Sequence, residues 1–261
     1  MATFINISDF YKSNNLINHI FKVIITFLLI YFLTFGYTLL YYRLKSRVVY
    51  FKYNSFEVSG TYGNILDYIG ASKVNLIVPV NSCFDTKIDE SVISTNSLHG
   101  KVIKFLYDNN LVSQSDLYKK IKRSLKEQNI SSVNIGNDVK KGGKSVGNYK
   151  RYPIGSTAFV DIGNVRYHFI ALSIIENNKN AKTSDQDYLI VLNAIVDNCF
   201  RNSNGNPIYL PLIGSGLSKL NYNHQQQLEF MVKYFMLRKT KLTSDVEIVI
   251  RKEDGDTISI L

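Results

Sequence analysis

The chain has 261 residues, a formal net charge of +10 and a sequence pI near 9.4, and 45% of its residues are hydrophobic. This hydrophobic fraction suffices for a folded core, and the positive charge indicates a polyanionic neighbour such as nucleic acid, a phosphate-bearing ligand or anionic lipid. The two cysteines, Cys83 and Cys199, lie far apart in apolar contexts, which excludes a disulfide framework and a zinc site and favours a reducing compartment.

An uncharged apolar run begins near the amino terminus. Residues 23–42 contain no charged side chain, and about 20 apolar residues are what a helix needs to cross the hydrocarbon core of a bilayer. We therefore predict a transmembrane helix over residues 20–42, between a tail of residues 1–19 and a basic juxtamembrane linker of residues 43–54. The run is too long for a signal peptide, and Arg43 stands where a cleavage site would need small residues.

The charges on either side of this run predict its orientation. Before the run, Lys12 and Lys22 are offset by Asp9. After the run come four basic residues without an intervening acid: Arg43, Lys45, Arg47 and Lys52. The positive-inside rule therefore predicts a single-pass protein whose carboxyl-terminal domain, residues 55–261, is cytoplasmic.

The soluble part alternates predicted strands with predicted helices. Residues 47–58 show the alternation of one or two strands, and residues 74–80 form an apolar run typical of a central strand buried on both faces. Residues 155–161 and 165–173 are expected to pair through a turn at Gly163-Asn164. Further strands are predicted at 207–212 and at 245–251, the last pairing with 257–261, and helices at 65–70, 101–109, 114–128, 184–201 and 222–239. This alternation favours an α/β fold with a mixed sheet.

Two strand ends are candidate binding positions, because open α/β sheets bind ligands at the carboxyl ends of their strands. Asn81 and Asp85 follow the strand at 74–80, and a Gly-Ser-Gly loop at 214–216 follows the strand at 207–212. Glycines allow backbone N–H groups to approach a phosphate closely. An ordinary glycine turn between a strand and a helix is the alternative interpretation of this loop.

Other patterns do not indicate a site. Gly143-Lys144-Ser145 is similar to the end of a P-loop, but Asp138 stands where that motif needs glycine and no strand precedes it. The four histidines lack metal-ligand spacing, so no metal is predicted, and His168, in an apolar strand, is expected to pack in the core. Cys83 has no evident base partner and is expected to be a small buried side chain rather than a nucleophile.

Four segments resemble a known family in their residues and in their order along the chain. They are VPVNSCFDT (78–86), ISTNSLHGKVI (93–103), KRYPIGSTAFVDIG (150–163) and NPIYLPLIGSGLSKL (206–220). Together they resemble the macro domains of Thoeris-type antiphage effectors over about residues 55–250, and the apolar run fits the membrane-linked branch of that family. The resemblance implies a macro-like three-layer α/β/α fold with a mixed sheet, preceded by an N-terminal transmembrane helix.

The resemblance also implies a function. The chain is expected to bind an ADP-ribose derivative and to need no further cofactor. It is expected to reside in the bacterial inner membrane. In the membrane-linked branch this signal is ADP-ribose joined to histidine, made from NAD by a partner TIR-domain enzyme after infection. The expected partners are therefore the nucleotide signal, membrane lipid and further copies of the chain, because the bound effector is expected to assemble and to disrupt the membrane.

By resemblance, four segments supply the ligand contacts. Asn81 corresponds to a residue near the distal ribose, Asn64 stands where the family has an acidic adenine contact, and residues 213–217 form the second phosphate loop. The complete predicted set is Asn64, Asn81, Phe84, Asp85, Thr86, Leu98, His99, Gly100, Lys101, Ile213, Gly214, Ser215, Gly216 and Leu217. Leu98, His99 and Gly100 are placed near the pyrophosphate or distal ribose. Asp85 and Thr86 are expected to shape the floor of the site.

Catalysis is not predicted, although an ADP-ribosyl hydrolase is the alternative function. Hydrolytic macro domains have a triple glycine in the first loop, whereas residues 94–100 contain one glycine. His99 is either a base or a structural residue.

Nucleic acid is not expected as a partner, because no motif interleaves aromatic and basic residues. The basic loop at 136–151 attracts the ligand, contacts anionic lipid or is simply solvated, and its sequence does not choose among these.

Overall fold

A computed structural model of the chain describes residues 16–44, 46–70, 73–90, 92–136, 146–175, 183–214 and 222–260. The chain divides into two compact units, one ending at Ser46 and one beginning at Arg47. The division lies inside the range predicted as a linker, because Arg47 already belongs to a strand of the second unit.

The described part of the first unit contains one long helix, α1, at Leu16–Leu44. Its segment Asn18–Tyr41 has a mean hydropathy of 2.2 and is long and apolar enough to cross a membrane. The hydroxyls of Thr34 and Thr38 donate to backbone oxygens one turn earlier, Ile30 at 2.9 Å and Thr34 at 2.8 Å. These polar groups are therefore satisfied within the helix, as a lipid environment requires.

The second unit is built on a seven-stranded mixed sheet. The nine strands in the described residues are β1 Arg47–Tyr53, β2 Phe56–Tyr62, β3 Val74–Asn81, β4 Val133–Asn134, β5 Lys150–Arg151, β6 Thr157–Ile162, β7 Val165–Ser173, β8 Ile208–Pro211 and β9 Val246–Ile250. The main sheet has the order β1-β2-β9-β8-β3-β7-β6, and β4 pairs with β5 separately. Strands β2, β9, β8, β3 and β7 run parallel, whereas the edge strands β1 and β6 are antiparallel to their neighbours.

Helices cover both faces of the main sheet. They are α2 Leu98–Asp108, α3 Gln114–Glu127, α4 Asp185–Ala194, which continues as a π-helical segment Ile195–Phe200, and α5 His224–Leu237. Short 3₁₀ turns occur at Ile65–Tyr68, Lys239–Lys241 and Lys252–Asp254. One core lies under α2 and α3 and the other under α4 and α5, so the unit is the expected three-layer α/β/α fold.

The central features expected from the sequence are present. Strand β3 is flanked by β8 and β7 and is buried on both faces. The hairpin between β6 and β7 turns at Gly163-Asn164, with Ile162 opposite Val165 and Gly163 at φ +58°.

The expected pairing of the last strand with residues 257–261 is wrong for the described residues. Strand β9 already has β2 on one side and β8 on the other, so it offers no free edge. Residues 257–260 are instead held by a tyrosine: the Tyr62 hydroxyl donates to the Ile258 oxygen and accepts from the Ile260 nitrogen at 3.2 Å.

Candidate functional site

A cleft of about 450 Å³ lies along the carboxyl ends of the parallel strands. Five neighbouring strands end there, so their ends extend over roughly 19 Å at ~4.8 Å per strand. The strand ends contribute Asn81 from β3 and Ser173 from β7, which are register partners, and Pro211 from β8. The parallel topology therefore creates the crevice that the strand-end rule predicts.

Six of the predicted ligand residues line this cleft. They come from four separate segments of the chain: Asn64, Asn81, Leu98, His99, Lys101 and Gly214. Gly214 has φ +87°, a backbone conformation that strongly favours glycine. Ser215, Gly216 and Leu217 lie outside the described residues. The neighbouring Ile213 is fully buried, and its N–H donates to the Met231 sulfur at 3.4 Å.

Asn81 lines the cleft and carries a buried hydrogen-bond donor. Its side chain is only 5% exposed, and its Oδ1 accepts from the Cys83 backbone N–H at 3.1 Å. That bond fixes the orientation of the amide, so Nδ2 is the donor. Within the described part of the chain, the buried Nδ2 has no hydrogen-bond partner. Because an unpaired buried donor costs about 1–3 kcal/mol, the position is suited to a ligand oxygen.

The first turn of α2 forms one wall of the cleft. Ser97 caps this helix, since its hydroxyl accepts from the Gly100 N–H at 3.0 Å. The first backbone N–H groups of a helix have no acceptor within the helix and carry partial positive charge. Leu98, His99 and Lys101 bring this positive helix end and a cationic side chain to the cleft, which suits an anion.

Gly100 is a packing residue rather than part of the lining. A Cβ atom at this position would lie 2.2 Å from the Ser94 oxygen, so only glycine allows this close approach. The same Ser94 oxygen accepts from the Ser97 N–H at 3.0 Å and from its hydroxyl at 2.7 Å. Gly100 therefore fixes the first loop against the start of α2.

His99 is buried in the cleft wall in its neutral form. Burial lowers the pKa of its imidazole to about 3, and a hydrogen bond with the Asp85 backbone opposes this shift. The ring is therefore uncharged near pH 7 and connects the cleft to the loop that follows β3.

Phe84, Asp85 and Thr86 are buried and do not line the cleft. Phe84 adopts φ +50° and packs edge-on against Tyr152 at 5.5 Å between ring centroids. The buried Asp85 carboxylate accepts from the Asn148 backbone N–H at 2.6 Å. The Asn148 side chain donates to the backbone oxygens of Cys83 and Phe84 at 3.0 and 2.8 Å. This loop is thus buried and held by Asn148, and the role of Asp85 and Thr86 in the floor of the site stays a prediction.

Comparison with known proteins shows the family to which the chain belongs. A family profile described as "Thoeris protein ThsA, Macro domain" matches residues 58–251, well over half of the chain. The chain belongs to the ThsA macro-domain family. A curated relative, the Thoeris protein ThsA of Bacillus amyloliquefaciens (strain Y2), is 24% identical over 188 residues. The match covers 70% of this chain and 59% of that relative, so it spans less than two thirds of the relative's length.

Two solved macrodomain structures from Oceanobacillus iheyensis resemble the chain at low sequence identity. An aspartate-to-alanine variant has a TM-score of 0.48 at 11% identity, covering 82% of this chain and 93% of that one. A glycine-to-valine variant solved with ADPR has a TM-score of 0.47 at 11% identity, covering 81% and 94%.

Several residues that line the cleft of this ThsA-family domain are outside the predicted ligand set. Ser94 and Asn96 precede α2, Ser173 ends β7, and Arg251 and Asp254 follow β9. The strand-end rule alone could have indicated Ser173 and Arg251. Asp254 had no local signal, because it reaches the cleft through the 3₁₀ turn after β9.

Two residues outside the cleft agree with their expected structural roles. His168 is fully buried, its Nε2–H donates to Asn75 Oδ1 at 2.9 Å, and burial lowers its pKa to about 3. Cys83 is 3% exposed and is not among the cleft residues. Of the basic loop, Lys150 and Arg151 form β5, whereas Lys140, Lys141 and Lys144 lie outside the described residues.

Proposed function

We propose that this chain is a membrane-anchored antiphage effector whose cytoplasmic macro domain senses an ADP-ribose-derived signal. Membership in the ThsA macro-domain family supports this proposal. The observation that carries most weight is Asn81, a cleft-lining residue whose buried Nδ2 has no partner in the described residues. A ribose hydroxyl or a phosphate oxygen supplies the acceptor that this donor requires.

The distribution of polar groups orients the ligand along the cleft. The diphosphate lies between the first turn of α2 and the loop at Gly214, where backbone N–H groups and Lys101 compensate its charge. The distal ribose, with the histidine attached to it, lies toward Asn81 and Ser173. A TIR-domain partner enzyme supplies this conjugate, and the site needs no additional cofactor.

We propose binding without turnover. Among the described cleft residues, the only carboxylate is Asp254, and both of its oxygens accept hydrogen bonds from Arg251. His99, with a pKa of about 3, is a weak proton acceptor near pH 7. These two residues give little support to the alternative, an ADP-ribosyl hydrolase, in which the same ligand would be cleaved.

Ligand binding in the cleft leads to disruption of the membrane. Helix α1 anchors the chain in the inner membrane, with the domain on the cytoplasmic side that the flanking charges favour. Ligand contacts order the segment 85–100 and favour assembly of several copies, whose clustered α1 helices then disrupt the bilayer. A full switch requires the ligand to bind the assembled form more tightly by about 5.5 kcal/mol.

Dye release from liposomes that carry the full chain tests this function. Addition of the histidine conjugate of ADP-ribose is expected to release an entrapped dye. The amount released should rise with the number of protein copies per liposome. Gly214→Glu places a bulky anion in the cleft at a positive-φ position, and this variant is expected to stay silent. Equal release from the variant and the natural chain would contradict the assignment of the phosphate loop.

A further inference from the structure

A second cavity, of about 530 Å³, is lined by α3, by the β4–β5 pair and by the loop that follows β3. In the described part of the chain it shares no lining residue with the strand-end cleft. Small-molecule sites are typically cavities of about 300–1,000 Å³ that combine apolar walls with a few polar groups. The second cavity therefore has the size of a ligand site rather than of a space for one water molecule.

The second cavity has an apolar floor and aromatic walls. Phe84 and Leu125, which are 2% and 1% exposed, contribute buried apolar surface. Three tyrosines also line it: Tyr118, Tyr149 and Tyr152. Tyr118 is 37% exposed and Tyr149 is 40% exposed, so both rings have surface that can stack against a flat ligand. Every nucleotide base has such a π-face, and bases stack on aromatic side chains largely regardless of their sequence.

The charged side chains of the second cavity are cationic. Lys122 and Lys150 line it, and none of the described lining residues is acidic. Lys122 Nζ lies 5.8 Å from the centroid of the Tyr118 ring, which places one ammonium group beside an aromatic wall. Two lysines without a neighbouring carboxylate in the lining attract an anion. The combination suits a flat ring that carries a negatively charged group.

Two asparagines in the lining add one donor and one acceptor. Asn134 Oδ1 accepts from the Gly136 backbone N–H at 3.0 Å, so the Asn134 amide retains its Nδ2 donor. Asn148 uses its Nδ2 in the bonds to the Cys83 and Phe84 oxygens and retains its Oδ1 acceptor. The edge of a nucleotide base carries both donors and acceptors, so these amides favour a base over a purely apolar ring.

We propose that the second cavity binds a nucleoside monophosphate, whose base stacks against the tyrosines and whose phosphate is held by Lys122 and Lys150. This site is separate from the strand-end cleft, and the inference does not rest on the proposed function. The floor of the second cavity is connected to the cleft, because the Cys83 N–H donates to Asn81 Oδ1. An occupant of the second cavity therefore contacts the loop that orients the Asn81 amide.

Calorimetric titration of the full chain in phosphatidylcholine nanodiscs with uridine monophosphate tests this inference. The natural chain is expected to bind one molecule per chain. Uridine, which lacks the phosphate, and ribose phosphate, which lacks the base, are each expected to bind at least about 10-fold more weakly. Equal affinity for uridine would overturn the role of the lysines, and equal affinity for ribose phosphate would overturn that of the tyrosines.

Two matched double variants separate this site from general charge attraction. Lys122→Gln combined with Lys150→Gln removes both cations of the cavity and is expected to weaken binding of uridine monophosphate at least about 10-fold. Lys120→Gln combined with Lys126→Gln removes the same charge from residues of α3 that do not line the cavity. This control is expected to stay within about 2-fold of the natural chain. All four lysines are exposed, so both variants should fold.

Three results would overturn the inference. Undiminished binding by the Lys122 and Lys150 variant would place the nucleotide elsewhere on the chain. An equal loss in the two double variants would show attraction by net charge alone. Absence of binding by the folded natural chain would exclude the second site, whether or not that chain binds ADP-ribose in the strand-end cleft.

Discussion

Gly100 lies so close to Ser94 that a Cβ atom on the glycine would be 2.2 Å from the serine backbone oxygen. We predict that Gly100→Ala moves the loop before α2 and weakens binding of ADP-ribose at least 10-fold, although alanine favours a helix by about 1 kcal/mol over glycine. Calorimetry checks the affinity, and circular dichroism checks the fold. Lys104→Ala, on the exposed side of the same helix, is the control. Unchanged affinity in Gly100→Ala would show that the position of the loop before α2 does not affect binding of ADP-ribose.

Asn81→Asp should remove the donor while keeping the acceptor for the Cys83 N–H. The new carboxylate also repels the ligand diphosphate, so we expect ADP-ribose affinity to fall about 10- to 100-fold. The same exchange at the exposed Asn109 should leave binding unchanged. If Asn81→Asp binds as tightly as the natural chain, the donor at Nδ2 does not contact the ligand.

Acidification should destabilise the macro domain through its buried histidines. The pKa of His99 is about 3 in the folded chain and 6.5 in the reference state, so the unfolded chain binds more protons between these values. The stability that the neutral ring contributes is therefore present above pH 6.5 and is lost as the pH falls toward 3. Melting temperatures measured across this range should fall less steeply for His99→Gln than for the natural chain. Parallel curves would contradict the assignment.

Asn148 should stabilise the loop that follows β3. Its side chain donates to two backbone oxygens, those of Cys83 and Phe84, and Asn148→Ala leaves both without this donor. We expect a loss of about 2 kcal/mol in the free energy of unfolding, measured with urea. Asn164→Ala, at an exposed position in the turn between β6 and β7, is the comparison, and an equal effect in both variants would mean that the bonds of Asn148 are not specifically stabilising.

The sequence predicted the parts of the fold that depend on local pattern. The apolar run of β3 and the turn at Gly163-Asn164 have signals within a few residues, and the structure confirms both. The strand-end rule likewise indicated Asn81 and Gly214 as cleft residues, because parallel strands end at one edge.

Long-range contacts account for what the sequence could not predict. Phe84 and Asp85 do not line the cleft, and Asn148, far along the chain, donates hydrogen bonds to both of them. Arg251 and Asp254 reach the cleft only because β9 inserts between β2 and β8, an order that no local pattern records.

Binding of the intact signal is the central claim, and calorimetry of the full chain in nanodiscs with the histidine conjugate of ADP-ribose tests it most directly. The same samples are then separated by chromatography. We predict saturable binding at one site per chain, with the conjugate recovered unchanged. Recovery of ADP-ribose and free histidine would contradict binding without turnover, and absence of binding by the folded chain would contradict the nucleotide site itself.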